Sequence, residues 1–265
     1  MAITFHHWPS KVSNVLVYVT LLSGNLYSTF GGDKNQDSPY DSEHKSYITP
    51  AQFTFYLWSL VHLLFGGLVV YQWFNDKVHQ TVGWHFVIVS VLNAIWLALW
   101  SSGHTFLAFV TLIFATGAVS YIYSRLRGDH SADNWFDTLF LDLPFSLYHS
   151  WIVVLLVINA FAVFSPINDD PEGPQGPSTF QTILAIAGLG FIASTVVGYI
   201  EYKKGDVAGA LVLAWYLFGV FAQQEEPAIH WTALGLGITV SIYTLKPVVL
   251  RLVGRHSGES APLLG

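Results

Sequence analysis

Eight times along this chain an apolar run, the seventh of them short, gives way to a polar break. The runs cover about residues 12–30, 52–74, 84–102, 104–124, 140–164, 180–200, 207–222 and 229–250. A bilayer core takes roughly 20 apolar residues of helix. Within hydrocarbon the backbone must satisfy its own hydrogen bonds, and a helix does so. The expected fold class is therefore an all-α polytopic membrane protein with eight transmembrane helices. The composition agrees, with 52% hydrophobic and only 11% charged residues, less than half the roughly 25% of soluble proteins. The absence of cysteine excludes disulfides, thiolate catalysis and Cys-based metal sites. No basic cluster argues for nucleic acid, so the lipid bilayer is the expected partner.

Lysine and arginine collect in cytosolic flanks. With a cytosolic N-terminus, Lys11, Lys77, Arg125, Arg127, Lys203, Lys204, Lys246, Arg251 and Arg255 lie on that side. Only Lys34 and Lys45 lie on the other, which accounts for all 11 basic residues. Seven spans would move Arg251 and Arg255 outside, so eight spans with both termini cytosolic are expected. The start, MAITFHHWPSK, lacks the charged-then-apolar pattern of a cleavable leader, and the first span is expected to direct insertion. An acidic, turn-rich outer loop covers 31–49. A second, SPINDDPEGPQGP at 165–177, carries four prolines and marks a boundary. The expected organisation is a five-helix block (1–164), this loop, a three-helix block (178–253) and a cytosolic tail (254–265). The tail's Glu259-x3-Leu263-Leu264 resembles an acidic dileucine sorting signal, which would point to vacuolar or endolysosomal membranes.

Polar and aromatic residues inside the spans repeat at helical spacing. In the second span Phe55, Trp58, His62 and Gly66 share a stripe; in the third, Asn93, Trp96 and Trp100; in the fifth, Pro144, Tyr148, Trp151 and Asn159. His149 is turned roughly 100° from Tyr148. At about 1.5 Å rise per residue, His62, Asn93 and Trp151 all fall near the midplane of the bilayer. A lone asparagine in a span usually serves as helix–helix glue. Here the shared depth points to a common cavity. Trp8, Trp73, Trp84, Trp135 and Trp231 lie near span ends, where interfacial belts form.

The segments ITPAQFTFYLWSLVHLLFGG, LNAIWLALW and LPFSLYHSWIVVLLVIN resemble, in order, the signature helices of the translocator protein / tryptophan-rich sensory protein (TspO/MBR) family. The resemblance covers about residues 11–164, five spans, and implies a five-helix core with a ligand cavity among the helices, capped by the first loop. It further implies binding of porphyrins and of sterol-like or drug-like molecules. Trp58, Asn93, Trp96 and Trp151 match the family pattern. His62 stands where the family has tyrosine, and the family's compact Pro-Tyr pair is spread to Pro144 and Tyr148. The last three spans have no counterpart in short family members.

The reading is thus a TspO-like core plus three C-terminal helices that binds a hydrophobic, porphyrin- or sterol-like molecule as a receptor, sensor or carrier. Ligand-binding residues are expected to be Trp58, His62, Asn93, Trp96, Trp100, Tyr148, Trp151 and Asn159. No catalytic residue, metal ligand or obligatory cofactor is assigned; a tetrapyrrole or sterol would be a bound ligand. A homo-oligomer is compatible with this reading. A secondary transporter is the alternative, and a membrane enzyme using His62 or Tyr148 as acid or base is the weakest. Asp33, Asn35 and Asp37 start like a calcium loop but lack its glycine and its final glutamate. Lys246 reads as snorkelling to the interface. Asp142 and Glu201 fall near cytosolic span ends and Glu225 and Glu226 near an outer one, so no carboxylate is expected at the midplane.

Overall fold

The computed structural model describes residues 6–30, 44–128, 132, 134–167, 176–203, 205–250 and 252. The Asp33–Asp37 stretch and the Glu259…Leu264 tail motif lie outside these residues. Among the described residues every regular element is helical. The long helices are α1 (Trp8–Phe30), α2 (Leu57–Tyr71, entered through a 3-10 turn at Gln52–Tyr56), α4 (His85–Ser101), α5 (Thr105–Gly128), α7 (Leu143–Phe164), α8 (Thr179–Glu201), α9 (Val207–Gln223) and α10 (Pro227–Thr244). Short helices α3 (Lys77–Thr81) and α6 (Trp135–Asp137) lie between them.

Each apolar run has become a helix. Five are long and apolar enough to cross a membrane: Gln52–Tyr71, Thr105–Gly128, Trp135–Phe164, Thr179–Glu201 and Pro227–Leu250. The apolar helices α4 and α9 are shorter, at 17 residues each. Large apolar side chains, among them Leu63, Ile95, Phe114, Phe180 and Ile242, face outward. That is the surface of an integral membrane protein, for which hydrocarbon is the outer solvent.

Polar contacts show that the helices alternate in direction. At one end the start of α1 meets the turn after α2 through Lys11 and Asp76 (2.9 Å). At the same end Arg127 of α5 meets Asp206 before α9 (2.7 Å), and Lys246 after α10 meets Glu201 of α8 (2.5 Å). At the opposite end Ile167 N, just past α7, donates to Lys45 O (3.1 Å), and Gln224 after α9 donates to Thr49 O (2.7 Å). Lys246 is thus half-exposed and has an ion-pair partner there.

The fifth apolar run starts earlier than its hydropathy indicates, because α6 joins α7 through a π turn at Thr138–Asp142. This turn accommodates Pro144. A proline within a helix lacks an N–H and crowds the carbonyl four residues back. A wider π turn there relieves both, and such turns often mark functional segments. Asn134 caps the start by accepting from Phe136 N (2.8 Å) and Asp137 N (3.1 Å).

Candidate functional site

Helices α2, α4 and α7 converge on an aromatic cluster. All eight expected site residues are buried, none more than 6% exposed. Trp58 lies at the centre. His62, one turn along α2, stacks on its face with ring centroids 5.4 Å apart and planes 16° from parallel. Trp96 of α4 lies 6.4 Å from Trp58, and Tyr148 of α7 lies 5.5 Å away. Trp96 stacks in turn on Trp100 (6.3 Å). Trp151 joins through Phe55, whose ring meets it edge-on at 5.6 Å. Spacing on each helix had grouped these residues, and the fold brings the three stripes together.

Hydrogen bonding divides the cluster. Asn93 Nδ2 donates to Tyr148 Oη (3.0 Å), and Trp96 Nε1 donates to Asn159 Oδ1 (3.1 Å). Asn159 Nδ2 donates to Leu155 O one turn back (3.0 Å). These groups satisfy one another across the α4–α7 interface. In contrast, Trp58 Nε1, Trp151 Nε1, Ser90 Oγ and both ring nitrogens of His62 are buried without a hydrogen-bond partner among the described residues. Leaving such groups unmet costs roughly 1–3 kcal/mol each, so native folds rarely do it without a purpose. The backbone of His62 is met: Tyr18 of α1 donates to His62 O (3.1 Å). Tyr18 comes this close because Gly66 carries no side chain; a Cβ there would lie 2.6 Å from the hydroxyl.

No lysine, arginine or carboxylate is hydrogen-bonded or ion-paired to Trp58, His62, Asn93, Tyr148 or Trp151 among the described residues. The cluster therefore offers flat apolar faces, two indole donors and an imidazole that can both donate and accept. It can stack a planar or polycyclic molecule and orient an uncharged polar group on it.

A second buried cluster escaped sequence reasoning. Asp206, 2% exposed, caps α9 by accepting from Gly209 N (3.0 Å). It also accepts from Ser146 of α7 (2.5 and 2.6 Å) and Tyr123 of α5 (2.9 Å), and pairs with Arg127. His149 lies stacked on Tyr123, 4.2 Å between centroids and 5° from parallel. Its ring nitrogens bond Ser120 Oγ (3.0 Å) and Tyr199 Oη (2.6 Å). Ser150 donates to Gly209 O (2.7 Å). Four helices, α5, α7, α8 and α9, meet here. The available signal was the Asp-x-x-Gly spacing of an N-cap before an apolar run. Asp137 is similarly buried, accepting from Tyr71 (2.6 Å) and Asn75 (2.8 Å).

A family model described as TSPO-like protein matches residues 11–246. The match continues from the signature helices through α8, α9 and α10. No curated protein and no solved structure matches the chain.

Proposed function

The chain belongs to the TSPO-like protein family, and from that membership together with the aromatic cluster we propose that it binds a hydrophobic, porphyrin- or sterol-like molecule between α2, α4 and α7. The proposed arrangement has eight spans, with a five-helix block at 1–164, a three-helix block at 178–253 and both termini cytosolic. One observation carries the binding reading. Polar groups that a stable core would satisfy are instead buried unmet beside Trp58, in a setting of flat rings.

Trp58, Trp96, Trp100 and Trp151 supply stacking surface. The hydrogen bonding supports a division of the polar roles. Asn93, Tyr148 and Asn159 are engaged with each other and with α4, so they shape the site. His62 and the indole N–H groups of Trp58 and Trp151 are the contacts left for a ligand. Burying a charge without a partner costs several kcal/mol or more. Because no cation among the described residues bonds to these groups, the site favours a ligand whose inserted end carries a hydroxyl or carbonyl rather than a carboxylate. A porphyrin would have to keep its carboxylates outside the cluster.

The test is quenching of tryptophan emission by protoporphyrin, and energy transfer to a fluorescent sterol, in the purified full chain. A Trp58→Ala, Trp151→Ala double variant should lose both signals. If both persist unchanged in that variant, the proposed site is wrong. Flux of the same molecules into proteoliposomes separates a carrier or transporter from a receptor.

A further inference from the structure

Residues 44–56 form a strap that runs from the first loop into α2 and borders the aromatic cluster at two points. The His44 ring meets Trp100 edge-on at 4.9 Å, and Phe55 meets Trp151. Before its 3-10 turn the strap is irregular, so its backbone carbonyls need donors from elsewhere. A short turn supplies some: Thr49 N donates to Ser46 O (3.0 Å), and Ser46 N donates to Thr49 Oγ1 (2.9 Å).

Ile167 N, just past α7, meets Lys45 O, and three further donors come from α9 and the residue that follows it, more than 150 positions later in the chain. Tyr216 Oη donates to Ile48 O (2.8 Å) and Gln224 Nε2 to Thr49 O (2.7 Å). Trp215 Nε1 donates to Thr54 O (3.1 Å), and its ring meets Phe53 edge-on at 5.1 Å. In the reverse direction Ala51 N donates to Gly219 O (2.9 Å). Gly219 permits this contact, since a Cβ there would lie 3.0 Å from Pro50 Cβ and overlap Thr54 Oγ1. Gln224 is itself held, its carbonyl bonded to His230 Nδ1 of α10 (2.9 Å). Ser46 and Ile48 are fully buried as a result.

We infer that the C-terminal helices act as a clasp, with α9 holding the strap closed over the aromatic cluster and so controlling entry to it. Entry from this end requires the bonds from Tyr216, Gln224 and Trp215 to the strap to open. The clasp follows from the contacts alone; its role in entry rests on the binding reading above.

The chain has no cysteine, so Ser46→Cys creates a single thiol at a buried strap position. The full-length variant, without added ligand, is treated with a maleimide. Labelling is expected to be slow, and about tenfold faster when Tyr216→Phe and Gln224→Leu are added. Tyr216→Phe alone, which removes one hydroxyl, should give a smaller rise and covers the case in which the combined variant fails to fold. Ile238→Ala, on an outward face of α10, should leave the rate unchanged. Equal rates in the clasp variants and the parent would overturn the clasp. Stopped-flow quenching by protoporphyrin on the same variants tests entry: faster onset supports the gate, and unchanged onset overturns it. Quenching absent from every background would overturn the binding reading and the gate with it, while the labelling rate would still decide the clasp.

Discussion

Helix α7 faces two polar clusters built on opposite rules. On one side Tyr148, Trp151 and Asn159 enter the aromatic cluster, where several polar groups have no partner among the described residues. On the other, Ser146, His149 and Ser150 enter the Asp206 cluster, where each is hydrogen-bonded. The two histidines make the contrast plain. His149 and His62 each stack on an aromatic ring, yet the first uses both ring nitrogens and the second neither. Fully met polar networks hold elements in place, whereas unmet groups invite a ligand. One helix thus serves as fastening on one face and, in the proposed reading, as binding wall on the other, divided by helical phase.

The largest expected effect is at the fastening. Asp206→Ala would strand Arg127 and leave Ser146, Tyr123 and Gly209 N without their acceptor. Breaking a buried pair costs about 3–5 kcal/mol, so a large fall in the thermal midpoint is expected in detergent. A fall no larger than that of a surface variant would mean the cluster is incidental. His149→Phe keeps the stack on Tyr123 but drops two hydrogen bonds, and should cost about 2 kcal/mol. The same substitution at His62 should be close to neutral or stabilising, because it removes only unmet polar atoms. It should nevertheless weaken ligand quenching. Equal destabilisation by the two phenylalanine variants would erase the distinction between the clusters.

The smallest effect concerns a third histidine, outside both clusters. His79 stacks on His7 (3.8 Å) and bonds Ser10 Oγ (2.8 Å). Burial, then the neighbouring His7 and Lys11, hold its pKa below the usual 6.5, with Asp76 opposing. The folded state therefore resists protonation of His79. Its contribution is intact above pH 6.5 and declines as the pH falls toward the lowered value. A modest acid slope in the thermal midpoint, flattened in His79→Gln, is expected.

Much of this was legible from residue order. Every apolar run is a helix, and the stripes of α2, α4 and α7 meet as their phases indicate. Trp8, Trp84, Trp135 and Trp231 are exposed near helix ends, as interfacial residues would be. What stayed hidden was pairing. Asn93 and Tyr148 both looked available to a ligand, but their mutual bond depends on how two helices rotate against each other. Asp206 lies in a short polar break, and only the packing of four helices buries it. The clasp was invisible because its acceptors are backbone carbonyls, which every residue type carries.

The π turn at Thr138–Asp142 has a consequence of its own. Before it, Asp137 points to Tyr71; after it, Tyr148 points to Asn93. In a helix each added or removed residue rotates everything beyond it by about 100°. The turn is a fixed angular offset between two anchor points, so the constraint on residues 138–142 falls first on their number. Leu141 within the turn is fully buried, and a single-residue insertion or deletion would turn Trp151 out of the aromatic cluster and Ser146 away from Asp206 together.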